Sequence, residues 1–182
     1  MSGPIPKEPS GLLLVRRFVN TAELLEGTDE LAAQGELARW LAENGLLETG
    51  RAATRVDVRR AVAVREALRA LMEANNELPA DIDAAAETLD EAARRAGLGV
   101  RFGGGVRLEP SARGVDGALG RILAVVAASM ADGTWSRVKA CRADDCRWAY
   151  FDHARNRSRA WCSMSSCGNR EKARAFRRRH AH

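Results

Sequence analysis

Apolar and polar positions recur along this chain with several distinct periods, and each period predicts an element. Leu12–Asn20 is a short apolar run broken only by Arg16-Arg17, and it reads as a short strand or buried segment. Thr28 then offers an N-cap, with Asp29 and Glu30 favourable in a first turn. The apolar positions Leu31, Leu37, Ala38 and Leu41 predict a helix that Asn44-Gly45 stops. Thr54 opens the longest helix, roughly Arg55 to Asn76. Val58, Val62, Leu68 and Leu71 recur there at near-helical spacing, and Pro79 lies beyond its end. Asp81 caps a further helix through Ile82, Leu89 and Ala93 that ends at Gly97.

The pattern then shortens. Leu98–Phe102 and Val106–Glu109 flank Gly103-Gly104-Gly105 and predict a β-hairpin. The glycines do not read as a phosphate loop, since neither Lys-Ser/Thr nor a helix start follows them. Asp116–Ala131 is the most apolar stretch, with Ile122, Leu123, Val125, Val126 and Met130 spread around much of a helix. Such a helix is buried on several sides and makes the core of a first domain. The pattern predicts a mainly α fold with small β elements (α+β). Residues 1–134 form a helical domain with a β-hairpin, and residues 135–182 form a small four-Cys module.

All four cysteines lie in that module. Cys141 and Cys146 have four residues between them, as do Cys162 and Cys167, and fifteen residues separate the pairs. Two tight turns, each offering two sulfurs, suit a tetrahedral Zn²⁺ site. Asp144-Asp145 and Ser165-Ser166 are turn formers in the right places. The rival is a pair of disulfides, and compartment decides between them. Met1–Ser10 holds three prolines and no long apolar core, so no secretory leader is read there. The expectation is a cytoplasmic protein whose reduced thiols take one structural zinc. Four Cys ligands close the shell against water, which excludes a catalytic zinc. His153 is a surface histidine in this reading. Arg147–Asp152 is read as a strand whose aromatics cover the metal.

Charge sharpens the division. The chain carries a net +5 over 182 residues, but Trp135–His182 holds thirteen Lys/Arg against four Asp/Glu. That segment is +9 and the remainder is −4. Six of the nine aromatics also fall there. A basic, aromatic-rich end on a mildly acidic body points to nucleic acid as the partner of the former. Arg155, Arg157 and Arg159 alternate with other residues, so an extended run places three guanidiniums on one side, suited to phosphates. After Asn169, a helix places Arg170, Arg174 and Arg178 on one stripe, with Ala173 and Phe176 on another that packs on the knuckles. The bland alternative is that these arginines only offset the −2 charge of a Zn(Cys)₄ centre. The longest apolar runs, such as Leu12–Val15 and Ile122–Ala128, fall well short of a membrane span.

The residues Cys167-Gly168-Asn169-Arg170, the Arg155–Met164 run RNRSRAWCSM, and Lys172 and Arg174 downstream resemble the CGNR zinc-finger family over about Lys139–Arg177. Phe18-Val19-Asn20-Thr21 and the helical layout of the first part resemble the ABATE-type domain. The resemblance implies a bacterial stress-responsive transcription regulator whose zinc finger binds double-stranded DNA. The first domain then senses a small molecule or forms a homodimer. An RNA- or ribosome-associated zinc protein is the alternative, with bases stacking on Trp148 or Trp161. An enzyme is not expected, because residues 1–134 contain no His and no Cys.

Overall fold

The computed structural model describes residues 7–180. The Pro-rich start, read above as lacking a leader, lies partly outside them in residues 1–6, and His182 also lies outside.

The first element is a helix, α1 (Ser10–Val19), where the sequence reading left open a short strand or a buried segment; the stretch is buried, but as a helix. Leu12, Val15, Phe18 and Val19 are its buried residues, spaced three, three and one apart, which is a helical stripe. Arg16 and Arg17 occupy the last turn, where the helix dipole favours cations, and Arg16 also pairs with Glu8. Thr28 does not cap a helix either. Ala22–Glu23 (β1) and Thr28–Asp29 (β2) form a two-rung antiparallel ladder instead. The Asp29 carboxylate is engaged by two nitrogens of Arg65 at 2.7 and 2.9 Å. The next helix, α2 (Gln34–Glu43), starts later, where the Ala33 N–H donates to the Glu36 carboxylate.

Three helices follow as local signals dictate. Helix α3 (Arg55–Ala74) begins with reciprocal bonds between Thr54 and Asp57. Helix α4 (Ile82–Ala96) is capped by Asp81 and ends at Gly97, whose φ of 58° is left-handed. The hairpin pairs β3 (Leu98–Arg101) with β4 (Arg107–Pro110). Helix α5 (Gly114–Ala131) packs on α1, α3, α4 and β4. By length and composition alone it is apolar enough to cross a membrane, yet half of it is buried inside this fold. Gly120 permits its close approach: a Cβ there would meet the Cβ atoms of Ala96 and Pro110 at 2.6 and 2.8 Å.

A short 3₁₀ turn (Trp135–Arg137) leads into β5 (Val138–Ala140), which pairs antiparallel with β6 (Ala149–Phe151). This second hairpin adds Trp135, Val138, Ala140, Ala149 and Phe151 to the same hydrophobic core as α1, α3 and α5. Polar groups reinforce the junction. The Asn20 side chain donates to the Ala149 carbonyl at 2.9 Å and accepts from its N–H at 2.7 Å, mimicking a strand rung. Asn75 donates to the carbonyls of Trp135 and Val138, and Asn76 to those of Ala140 and Ala160. Arg69, itself buried, reaches the Arg147 carbonyl.

Candidate metal centre

Hairpin β5–β6 delivers the first two cysteines. Its ladder is prolonged by the Cys141 N–H donating to the Trp148 carbonyl. Between them the chain turns tightly, with the N–H groups of Cys146 and Arg147 both donating to the Ala143 carbonyl. The second pair frames a π-type turn, Met164–Gly168. There the Ser163 hydroxyl accepts from the Ser166 N–H, and its carbonyl accepts from the Gly168 N–H. These are the two knuckles expected from the turn formers.

The four Sγ atoms converge within 4.8 Å of one another. Cys162 lies 3.7 Å from both Cys146 and Cys167. Four ligands at Zn–S of about 2.3 Å in a tetrahedron stand about 3.8 Å apart, so the sulfurs fit zinc. They do not fit disulfides, whose sulfurs bond at about 2.05 Å, and all four cysteines are free thiols. Cys141, Cys146 and Cys167 are buried and Cys162 partly so, behind Ala143, Trp148 and Trp161. Such crowding separates the thiols' acidities. Hydrogen bonds from Cys146 and then Cys162 hold Cys141 far down, to about 2, while the bond to Cys141 pushes Cys146 up to about 12. Cys162 is pushed up likewise, so one thiolate sits among thiols that keep their protons until a divalent cation displaces them. Bound zinc supplies a four-way crosslink between the two knuckles, in a module with little core of its own.

A second layer holds the knuckles. Arg170 donates to Cys167 Sγ at 3.3 Å and to Asp145 at 3.1 Å, and Arg174 donates to the other Asp145 oxygen at 2.8 Å. Helix α6 (Asn169–Arg179) therefore docks through Arg170, Glu171, Arg174 and Ala175, which are its half-buried residues. The apolar stripe expected to pack on the knuckles does not: Ala173 is exposed, and Phe176 is 56% exposed and stacked on His180. Ion pairing to Asp145 outweighs a two-residue apolar face.

The arginine run also departs from expectation. It is not extended, because residues 155–156 form a turn and Arg157 has a φ of 53°. Arg159 turns inward, donating to the carbonyls of Trp161 and Cys162 and lying 4.9 Å above the Tyr150 ring. Arg155 and Arg157 are exposed, as is Arg178 on α6. Of the aromatics expected over the metal, Trp148 packs there. Tyr150 donates its hydroxyl to the Arg159 carbonyl, and Phe151 joins the main core. His153 is exposed beside Phe151.

Residues 137–180 match the CGNR zinc finger, and residues 14–133 match the family described as ABATE, "Putative stress-induced transcription regulator". The chain belongs to the ABATE family and ends in a CGNR zinc finger. A search of the curated proteins gave no match. Within the ABATE part, Phe18-Val19-Asn20-Thr21 is the junction with the finger. Phe18 and Val19 fill the core, Asn20 grips Ala149, and the Thr21 hydroxyl donates to the Phe18 carbonyl and accepts from Arg65. Within the CGNR part, the cysteine binds metal, Gly168 lies against Met164 where a Cβ would stand 2.5 Å from sulfur, and the arginine clasps Asp145. The sequence reading missed Asn75, Asn76 and Lys139, and gave Asn20 no role of its own. Asn20 alone gave a signal, as part of the Phe18-Val19-Asn20-Thr21 run that carries the ABATE resemblance.

Proposed function

We propose that this ABATE protein is a cytoplasmic transcription regulator that grips double-stranded DNA through residues 135–182 and is controlled through residues 1–134. The supporting observation is how the module uses its charges. All four of its carboxylates are engaged internally: Asp144 by Arg147, Asp145 by Arg170 and Arg174, Asp152 by Lys139, and Glu171 by Arg174. Arg155, Arg157, Lys172, Arg177, Arg178 and Arg179 stand exposed outside those pairs, of whose members only Asp144 lies at the surface, 89% exposed. These are the phosphate-contacting groups in this reading. Arg159, Arg170 and Arg174 hold the loop and the helix in place, and contact phosphate only with edges left over from those bonds.

The helical part senses or assembles. A groove of about 650 Å³ between α2 and residues 49–53 has room for a small effector. An enzyme is not proposed, since both family descriptions name other roles and residues 1–134 lack His and Cys. The RNA reading is the weaker one, because Trp148 and Trp161 pack against the cysteines rather than standing clear as stacking platforms. Competition between duplex DNA and structured RNA at matched salt tests the choice. Preference for duplex supports it, and preference for RNA overturns it.

A further inference from the structure

The C-terminal end of α3, the entry to β5 and residues 156–160 enclose a cleft of about 520 Å³, apart from the cysteine cluster. Its wall is polar. Arg142 and Arg157 bring two guanidiniums, Ser136 and Ser158 bring hydroxyls, and Asn156 brings an amide. Lys139 also lines it, but its charge is already balanced by Asp152. The one carboxylate in the wall is Glu77.

Both guanidiniums are held in place. The Nε of Arg142 donates to the Asn76 carbonyl at 2.9 Å, which leaves its Nη2 to meet the Glu77 carboxylate at 2.7 Å. Arg157 donates through Nη1 to the Ser136 hydroxyl at 2.8 Å. Arg157 also keeps a left-handed backbone that a residue with a side chain adopts only under constraint. The constraint is visible: its carbonyl is turned inward to accept from the buried Lys139 ammonium while its side chain lines the cleft.

Glu77 is the informative residue. Its side chain is 87% exposed, and one surface ion pair of this kind holds a carboxylate weakly. An anion with more charge and more acceptor oxygens would take both guanidiniums and the hydroxyls together. We propose that this cleft is a phosphate-binding site in which Glu77 is the stand-in that the phosphate displaces. The phosphate belongs to a free phosphorylated small molecule or to a nucleic-acid backbone. Because α3 forms one wall and the 156–160 segment another, its occupant ties the helical part to the arginine loop. The inference does not require duplex binding.

The test uses full-length, zinc-loaded protein titrated with inorganic phosphate against chloride at constant ionic strength. The side-chain Nε–Hε resonances of arginine are the readout. Saturable shifts of Arg142 and Arg157 are expected. Arg157→Ala should bind phosphate about tenfold more weakly, and Glu77→Gln about two- to fivefold more tightly. Arg94→Ala on α4, an exposed arginine away from the cleft, should bind it as wild type does. A second titration includes a short DNA duplex. Displacement of phosphate assigns the cleft to the backbone, and simultaneous binding assigns it to a free phosphorylated molecule. Three outcomes overturn the proposal: no saturable shift, no tightening in Glu77→Gln, or equal weakening in Arg94→Ala and Arg157→Ala. If the protein ignores DNA altogether, the phosphate titration alone still decides the question.

Discussion

The Lys139 ammonium stands 2.9 Å from the Asp152 carboxylate across hairpin β5–β6, with 6% and 0% of the two side chains exposed. Asp152 also accepts from the N–H groups of Ala154 and Arg159, while Lys139 donates to the carbonyls of Arg157 and Arg159. This one pair sets the path of the segment that carries Arg155 and Arg157. Burial by itself would raise the Asp152 pKa, but the ammonium and the backbone donors outweigh it and hold the carboxyl below its usual range. Removing one partner strands the other charge in the interior. Lys139→Ala should therefore lose about 3–5 kcal/mol in urea unfolding of the zinc-loaded protein. Lys139→Met combined with Asp152→Asn should recover part of that, because no unpaired charge remains. An equal loss in the double variant would contradict the assignment.

The junction asparagines make a second prediction. Asn20→Ala leaves both backbone groups of Ala149 without their side-chain partner, and Asn76→Ala does the same to the carbonyls of Ala140 and Ala160. Each should lower stability by about 1–3 kcal/mol. Each should also raise amide exchange in β6 more than in α4. Exchange rising equally in both would mean that these residues only support global stability.

The Asp29–Arg65 pair predicts a pH dependence. Burial alone would raise the Asp29 pKa, but hydrogen bonds from Arg65 and the Leu31 N–H outweigh it and lower the carboxyl. A depressed folded pKa gives stability that is fully present above the unfolded carboxylate value, about 3.9, and lost as pH falls below it. The stability gap between wild type and Asp29→Asn should be constant from pH 7 to about 5 and close below about 4. A gap that widened on acidification would refute the pairing.

How much of this was legible beforehand depended on whether the cause was local. Thr54 with Asp57, Asp81, and Gly97 are caps written within four residues of the ends they fix, so α3 and α4 could be read directly. The cysteine quartet was legible for the same reason, since each knuckle is closed by its own short turn. The helical form of α1 was not read because its apolar density resembles a strand, although the spacing of Leu12, Val15, Phe18 and Val19 carried the helical period. Thr28 was misread because Asp29 is claimed by Arg65, thirty-six positions away. The roles of Arg159, Arg170 and Arg174 were hidden likewise: their partners are carbonyls and a carboxylate positioned by the folded knuckles. Asn75 and Asn76 look like helix-end residues in the sequence, and only the docked hairpin shows what they hold.

Zinc removal should act regionally. The cysteine cluster has its own small apolar shell, whereas β5 and β6 belong to the main core. Cys162→Ser should abolish the single equivalent of zinc and expose the amides of 141–147 and 160–170 to exchange. Helices α1 and α5 should keep most of their protection. Retention of a full equivalent of zinc by this variant, or collapse of α5 protection together with the knuckles, would contradict a structural metal confined to the finger.

The central claim is that the exposed arginines of residues 135–182 meet the DNA backbone while the buried ones build the surface. Duplex affinity measured against salt for zinc-loaded Arg157→Ala, Arg178→Ala and Arg39→Ala, the last on α2 in the helical part, addresses it most directly. The account predicts that the first two each weaken binding to every duplex and reduce the salt slope by about one unit, with Arg39→Ala unchanged. Unchanged affinity and slope in Arg157→Ala and Arg178→Ala, with zinc retained, would contradict it.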